Sequence, residues 1–198
     1  MIPKPVIQQP CPRRGPRIVN TRTLATSRMF QIEEVELEFS SGVKTSFERL
    51  GGTAGGAVLI VPMLADDTVL LIREYAVGTE RYELALPKGR IERDEDRLSA
   101  ANRELMEEVG YGARKLTHLL SLSSAPGYSG AATHVVLAQD LYPKRLPGDE
   151  PEEIEVVPWR LGHLSRLLGR EDFTEARSIA ALYIVRDLLH GNEERESK

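Results

Sequence analysis

The chain has 198 residues, a formal net charge of −4 and 41% hydrophobic residues, which fits one globular domain with short extensions. This weakly acidic balance gives no broad positive field, so it argues against nucleic acid or an anionic membrane as a partner. Cys11 is the single cysteine, and the sequence has neither a membrane-length apolar run nor a signal-peptide pattern. We therefore expect no internal disulfide, a reducing compartment and a cytoplasmic location.

The first fifty residues predict an arm followed by a hairpin. Residues 1–17 contain five prolines and are predicted to be an irregular arm. Apolar and polar residues alternate over 30–39 and again over 43–50, with a Ser-Gly pair between them. This pattern predicts an antiparallel β-hairpin extension within residues 18–50. Residues 51–56 read GGTAGG without the Lys-Ser/Thr of a phosphate-binding P-loop, so we interpret them as a linker.

The rest of the chain combines predicted strands with three predicted helices. We therefore expect a mixed α/β domain over residues 51–191, with helices on both faces of a sheet, and a charged tail over 192–198. The predicted strands are 57–64, 68–77, 82–86, 116–124 and 133–142, and the predicted helices are 96–109, 161–169 and 174–190, the last closed by Gly191.

The segment from Gly89 to Tyr111, GRIERDEDRLSAANRELMEEVGY, carries the strongest chemical signal. On a helix each residue advances by roughly 100°, so Glu107 and Glu108 lie about 60° and about 40° to either side of Glu104. Three carboxylates therefore share one arc, beside a stripe of core-facing apolar residues. Ligation by oxygen alone favours Mg²⁺ or Mn²⁺, so we predict that these three glutamates are metal ligands.

Two further side chains of this segment are predicted to support the carboxylates. Arg103 precedes Glu107 by one turn and can pair with it as an i,i+4 partner. Glu95 lies at the helix start, where it fits the helix dipole, and is interpreted as a supporting group rather than a primary ligand. The alternative for the whole segment is a solvated charged helix face. Against that alternative, the segment has a glycine at each end, Gly89 and Gly110, and it has Glu95 at the expected spacing between them.

Gly89, Glu95 and the run RELMEEVG at 103–110 together form the Nudix box, and on this basis the chain resembles the Nudix hydrolase superfamily. Longer stretches, among them SRMFQIEEVELEFSSGVK and FTEARSIAALYIVRDLL, resemble the bacterial ADP-compounds hydrolases of the ADP-ribose pyrophosphatase-like branch. The resemblance implies an α/β/α Nudix sandwich with a mixed sheet, preceded by the antiparallel β-hairpin. It also implies Mg²⁺-dependent hydrolysis of ADP-linked compounds, such as ADP-ribose, NADH or diadenosine polyphosphates, to AMP plus X-phosphate. A homodimer that exchanges its N-terminal hairpins is implied as well, and packing of the hairpin on its own domain is the alternative, since a hairpin needs something to pack against.

The same resemblance assigns roles outside the box. The backbone carbonyl of Lys88 is implied as a further metal ligand, and a general base is implied in the acidic loop at 146–156. In that loop we favour Glu150 as the base, with Glu152 next. Glu107 acting as the base through a bound water stays an alternative. The loop also contains Asp149 and Glu153.

Candidate substrate-binding residues lie on the strands before the box. Arg73 and Arg81 are candidates for contact with phosphate or adenine, and Glu83 for contact with a ribose hydroxyl or the adenine amine. A surface ion pair at a strand end explains these three residues equally well. The aromatic candidates for stacking on adenine are Tyr75, Tyr82 and Tyr128, although packing in a core or interface is the commoner role of aromatic residues. The histidines have no metal-ligand spacing and are predicted to be structural; they are His118, His134, His163 and His190.

Two other functions stay open at the level of sequence. One is a different Nudix specificity, such as a sugar-nucleotide or GDP-mannose pyrophosphatase. The other is a non-catalytic Nudix module that senses nucleotides. Such modules typically lose one of the box acids, and all of those acids are present in this chain.

Overall fold

The structure, a computed structural model, describes residues 14–51 and 55–196. Cys11 and most of the predicted arm, the middle of the predicted linker and the last two residues of the predicted tail lie outside the described residues. The chain divides into two compact units. The smaller unit comprises Met1–Gly52 with Gly127–Gly130, and the larger comprises Thr53–Pro126 with Ala131–Lys198.

The smaller unit contains an antiparallel sheet of three strands, β1 (Arg17–Thr26), β2 (Gln31–Glu38) and β3 (Lys44–Gly51), with β2 in the centre. The predicted hairpin is the pair β2–β3, and Gly42 has the positive φ of +83° that its turn requires. The sequence does not predict β1. Nearly all side chains of β1 are exposed, so no alternation between a buried and a solvated face marks it as a strand.

The larger unit is built on a mixed sheet of seven strands. The central order is β10-β5-β4-β9-β8, with β6 paired to β5 and β7 paired to β4. Only β4 and β9 run parallel to each other; every other pairing in this sheet is antiparallel. The strands are β4 (Ala57–Ala65), β5 (Thr68–Ala76), β6 (Arg81–Ala85), β7 (Lys88–Arg90), β8 (Tyr111–Ser123), β9 (Ala132–Pro143) and β10 (Glu155–Arg160).

Helices cover both faces of this sheet, so the predicted α/β class is confirmed. One face packs on α1 (Arg97–Glu104) and on the π-helical turn Leu105–Val109 that continues it. The opposite face packs on a 3₁₀ turn (Leu161–His163), on α2 (Leu164–Leu168) and on α3 (Ala176–Glu196). The two buried layers alternate along β4, because successive side chains of a strand point to opposite faces. Val58 and Ile60 face α1, whereas Leu59 and Val61 face α3.

Two elements differ from the sequence prediction. Residues 155–160 form the strand β10, which pairs with β5. The sequence prediction places these residues in the end of the acidic loop and in the stretch before the short helix. Pro158 hides this strand in the sequence, but a proline is tolerated at a sheet edge. Helix α3 does not end at Gly191 but continues to Glu196, since the residues after that glycine include good helix formers. In the part of the chain that the structure describes, no helix is long and apolar enough to cross a membrane.

Candidate active site

The predicted metal-binding segment is an α-helix that continues as a π-helical turn. We call residues 97–109 the carboxylate helix. Asp96 caps its start, since its side chain accepts hydrogen bonds from the backbone N–H groups of Leu98 and Ser99. From Leu105 the coil widens into the π-helical turn and ends at Gly110, which has a φ of +82°. The prediction of one regular α-helix over 96–109 is therefore wrong in its second half. Widened turns of this kind are frequent at functional sites.

The three predicted metal ligands differ in their exposure. Glu104 and Glu108 are only 8% and 3% exposed, and they lie beside the buried apolar residues Leu105 and Val109. Glu107 is partly exposed. In the π-helical turn each residue advances by less than the roughly 100° of an α-helix. Glu107 is therefore turned further from Glu104, and Glu108 less far from it, than a regular α-helix predicts.

Burial controls the charge of the two inner carboxyl groups. It raises the pKa of Glu104 to about 7, against the opposing effect of Arg103. Burial also raises the pKa of Glu108 to about 8, although Lys88 favours its ionised form. Ionising both groups without a further cation is therefore unfavourable.

Arg103 joins the carboxylates to the loop before the helix. Its Nη1 donates to Glu104 at 2.8 Å and to Glu107 at 3.0 Å, the latter as the i,i+4 spacing predicts. Its Nε and Nη2 both donate to the carboxylate of Glu95 at 3.0 Å, and Nη2 also donates to the carbonyl of Arg90. The bidentate contact with Arg103 lowers the pKa of Glu95. Glu95 therefore contacts Arg103, which in turn contacts Glu104 and Glu107.

Strand β7 lies against the buried carboxylates. The backbone N–H of Lys88 donates to Glu108 at 2.9 Å, and its Nζ donates to Glu74 at 2.8 Å. A Cβ at Gly89 would overlap the carboxyl group of Glu104, so only glycine leaves that carboxyl its position. Glu74 was missed by the sequence analysis. Alternation along β5 gives the signal, because Glu74 is two residues from Ile72, which faces the carboxylate helix.

The donor set fits a hard divalent cation. Among the described residues no three His, Cys, Asp or Glu side chains are already gathered around one point. Arg103 holds Glu104 and Glu107, and the Lys88 N–H holds Glu108. Yet the donors are all oxygen, two of the carboxylates are buried without full charge compensation, and Gly89 leaves room for the carboxyl group of Glu104. Mg²⁺ or Mn²⁺ suits such a set.

Two glutamates of the acidic loop, Glu150 and Glu152, have identifiable neighbours in the structure. Glu150 lies close enough to Glu104 for its charge to raise the pKa of that group. Glu152 accepts a hydrogen bond from the hydroxyl of Tyr82 at 2.8 Å, and this contact raises the pKa of Tyr82. Glu107, Arg145 and the loop line a cavity of about 420 Å³. Of the two favoured bases, Glu150 is therefore the one near the buried carboxylates.

The three predicted substrate-binding residues all have protein partners. Arg73 donates to Asp172 and, at 2.8 Å, to Glu155. Arg81 donates from Nε to the buried carboxylate of Glu83 at 2.7 Å. The hydroxyl of Thr174 donates to Glu83 as well, at 3.1 Å. These contacts agree with the ion-pair alternative, and they attach β5 and β6 to the segment before α3. Asp172 and Thr174 were not singled out from the sequence, which has no local spacing that pairs them with β5 or β6.

The aromatic candidates occupy two places. The rings of Tyr75 and Tyr82 meet edge to face with centroids 5.5 Å apart, and about half of each side chain is exposed. Tyr128 belongs to the smaller unit, where its carbonyl accepts a hydrogen bond from the Leu50 N–H. The paired tyrosines, one of which binds Glu152, are thus the ones connected to the acidic loop.

The histidines lie in the predicted elements. The rings of His118 on β8 and His134 on β9 meet edge to face. The hydroxyl of Ser121 lies within hydrogen-bond distance of one nitrogen of each ring, Nε2 of His118 and Nδ1 of His134. His163 ends the 3₁₀ turn, and its carbonyl accepts a hydrogen bond from the Trp159 ring. His190 lies in α3, and its side chain is outside the described residues.

Comparison with known proteins agrees with this geometry. The model of the NUDIX domain matches residues 54–182, and that of the NudE-type Nudix hydrolase N-terminal domain matches residues 16–49. The chain is 53% identical over 176 residues to the ADP compounds hydrolase NudE of Escherichia coli (strain K12), an alignment that covers 89% of this chain and 94% of that protein. It is 26% identical to the ADP-ribose pyrophosphatase of Bacillus subtilis (strain 168), covering 81% and 90% of the two chains.

A solved structure shows the same relationship. The crystal structure of an ADP compounds hydrolase superposes with a TM-score of 0.85 at 52% identity, covering 91% of this chain and 97% of that one. The NUDIX domain and the N-terminal domain of this chain are therefore both present in ADP compounds hydrolases, and the likeness extends over nearly the whole length of those proteins. The chain belongs to the Nudix hydrolase family, in its NudE-type branch, and is an enzyme of that class.

Proposed function

We propose that this enzyme hydrolyses ADP-linked compounds to AMP and the phosphorylated remainder, with ADP-ribose, NADH and diadenosine polyphosphates as substrates and Mg²⁺ as the metal, replaceable by Mn²⁺. The observation that carries the proposal is the 53% identity to the E. coli ADP compounds hydrolase across 94% of its length. The likeness includes the N-terminal domain typical of NudE-type enzymes.

Glu104 and Glu108 are proposed as the principal metal ligands, with Glu107 and the Lys88 backbone carbonyl completing the set. The support is the burial of the first two carboxylates and the raised pKa of each, which a divalent cation would reverse. When bound, the metal supplies charge neutralisation for the pyrophosphate and a lowered pKa for the attacking water. Arg103 holds Glu104 and Glu107 in fixed rotamers and so keeps the ligand oxygens oriented.

Glu150 is proposed as the general base, which removes a proton from the attacking water. A base must come within hydrogen-bond reach of the proton that it accepts, and Glu150 lies close enough to the proposed ligand Glu104 for its charge to raise the pKa of that group. Glu152 is less suited to this role because its carboxylate is bound by the Tyr82 hydroxyl. Glu107 is less suited because Arg103 holds its carboxylate at 3.0 Å.

The proposed substrate contacts fall to Arg81, Arg73 and Glu83. Arg81 is the most exposed of the three, with 45% of its side chain accessible, so its guanidinium can turn from Glu83 toward a phosphate. Arg73 and Glu83 keep their partners Asp172 and Thr174 and hold the strand ends in position. A bidentate contact between Arg81 and a phosphate would be of the strong, charge-assisted type.

A homodimer is proposed as the working form, with a second copy covering the smaller unit. A small antiparallel sheet is marginal without something packed on it, and the strands and turns of the smaller unit leave many large apolar side chains exposed. They are Ile18, Leu24, Met29, Phe30, Ile32, Phe39, Val43 and Phe47. Sedimentation of the wild type against Phe47→Glu tests the dimer; a monomeric wild type contradicts it. The cytoplasmic location and the lack of nucleic-acid and membrane partners stay predictions.

The function is tested with a substrate panel in Mg²⁺ containing ADP-ribose, NADH, diadenosine triphosphate and GDP-mannose. We expect AMP from the first three, and oxygen from ¹⁸O-water identifies the phosphorus attacked. Turnover of GDP-mannose without turnover of ADP-ribose would establish the sugar-nucleotide alternative. Tight ADP-ribose binding without turnover in Mg²⁺ or Mn²⁺ would indicate a sensing module instead.

A further inference from the structure

The acidic loop begins at a fixed point on the carboxylate helix. The backbone N–H of Lys144 donates to the carbonyl of Gly110, and that of Leu146 donates to the carbonyl of Met106, each at 3.1 Å. The last carbonyls of a helix have no partner within the helix itself. The start of the loop therefore satisfies acceptors that the carboxylate helix leaves free.

Arg145 strengthens this attachment with its side chain. Its Nη1 donates to the carbonyl of Glu107 at 3.3 Å. A Cβ at Gly110 would lie only 3.0–3.2 Å from the guanidinium, so the guanidinium rests against the bare backbone of that glycine. A positive charge at a helix C-terminus is also favoured by the helix dipole. Arg145 thus attaches the start of the loop to Gly110 and to the backbone of Glu107.

Gly148 determines where the Glu150 carboxylate lies. A Cβ at Gly148 would overlap Oε2 of Glu150 and would lie 3.8 Å from the Cβ of Glu107. The side chain of Glu150 is therefore folded back over Gly148, toward the carboxylate helix. Beyond it, Glu152 is held by Tyr82 and Ile154 packs in the core, so the loop is fixed on both sides of Glu150.

We propose that Arg145 and Gly148 are positioning residues for Glu150. Arg145 fixes the start of the loop on the carboxylate helix, and Gly148 leaves the space that the Glu150 carboxylate occupies. This inference rests on the proposed function, in which Glu150 is the general base. Misplacing a reacting group by about 1 Å can reduce a rate about 100-fold, so we expect both residues to affect the rate through the position of Glu150.

The first test is Gly148→Ala. Gly148 does not have a positive φ, and the atom that the new methyl group would meet is the end of a flexible side chain. The fold therefore tolerates alanine while the Glu150 carboxylate moves. We expect kcat for ADP-ribose to fall at least about tenfold, with KM changed less than about threefold and an unchanged melting temperature. The matched control is Gly169→Ala, where a Cβ would meet its nearest neighbour at an ordinary 3.6 Å.

A double-mutant cycle shows whether the effect passes through Glu150. In the Glu150→Gln background, Gly148→Ala should cause no further loss of kcat. An equal loss in both backgrounds, or an unchanged kcat for Gly148→Ala alone, overturns the proposal. Arg145→Gln should also lower kcat more than it raises KM, and Arg145→Lys should restore part of the rate because lysine keeps a cationic donor.

A crystal structure of Gly148→Ala separates this inference from the proposed function. If wild-type enzyme does not cleave ADP compounds, or Glu150→Gln is as active as wild type, the proposed function or its base is wrong. The position of the carboxylate is measured independently of activity. We expect the Glu150 side chain to leave residue 148 in the variant; a carboxylate that keeps its position overturns the role given to Gly148.

Discussion

Gly89 lies directly against the carboxyl group of Glu104, so close that a Cβ at position 89 would overlap all three atoms of that group. The glycine is part of a short strand and has no positive φ. Its backbone conformation therefore does not require glycine. The requirement comes from the neighbouring carboxylate, which is buried and cannot retreat into solvent without leaving the proposed metal site.

Gly89→Ala should therefore abolish most activity while preserving the fold. The added methyl group displaces the Glu104 carboxylate from its position, and loss of an oriented ligand typically reduces metal affinity or activity by about 10–100-fold. The measurement is kcat/KM for ADP-ribose at saturating Mg²⁺, together with the melting temperature. Gly169→Ala serves as the control, and near-wild-type activity of Gly89→Ala would contradict the role given to Glu104.

The buried carboxyl group of Glu108 makes the stability of the metal-free protein depend on pH. Its pKa is raised by burial from 4.5 to about 8, so between these pH values the folded chain holds a proton that the unfolded chain has released. Stability falls with rising pH wherever the folded state binds more protons. Without metal, the free energy of unfolding should therefore decrease from pH 5 to pH 8.

Urea unfolding in EDTA at several pH values measures this effect. Glu108→Gln should make the decrease smaller, because the amide is neutral throughout, while the part that comes from the raised pKa of Glu104 should remain. Glu171→Gln, which changes an exposed carboxyl group on the surface, should leave it unchanged. A wild-type stability that rises over this range would show that Glu108 is ionised in the metal-free fold.

Some features of this site follow from sequence and others do not. The i,i+4 spacing of Arg103 and Glu107 predicts their contact, because helix geometry is local. The π-helical turn has no equivalent signal, so the wheel of an α-helix puts Glu107 closer to Glu104 than the structure does. The hydrogen bonds from Arg103 to Glu95 and to the Arg90 carbonyl depend on how the preceding loop folds back on the helix.

Pairs that are distant in the chain are the least predictable. Arg73 and Asp172 are 99 residues apart, and no spacing in the sequence connects them. The seven-stranded sheet shows the same limit: β4, β5, β8 and β9 have apolar runs that predict them, whereas β7 and β10 exist because neighbouring strands pair with them. The sequence thus indicates which residues are buried. It does not indicate which strands pair at the sheet edges or which charged residues form ion pairs, because these depend on the tertiary fold.

Metal affinity should rise with pH over the same interval in which the metal-free protein loses stability. Metal binding requires deprotonated ligands and releases their protons, and the pKa values of Glu104 and Glu108 are about 7 and about 8. Titration calorimetry with Mg²⁺ alone should therefore show weaker binding at pH 6 than at pH 8.5, with proton release that depends on the buffer. Binding that is independent of pH would exclude these two carboxylates as the ligands.

The two favoured loop acids should respond differently to the same substitution. Glu150→Gln should reduce kcat for ADP-ribose by about 100-fold or more, as expected for loss of a general base. Glu152→Gln should reduce kcat less than tenfold, since its role is to accept the hydrogen bond from Tyr82. Tyr82→Phe removes the same hydrogen bond from the other side, so it should match Glu152→Gln and should add little to it in the double variant. If instead Glu152→Gln shows the larger loss and Tyr82→Phe does not, the base is Glu152, and the tyrosine hydroxyl must release it during turnover.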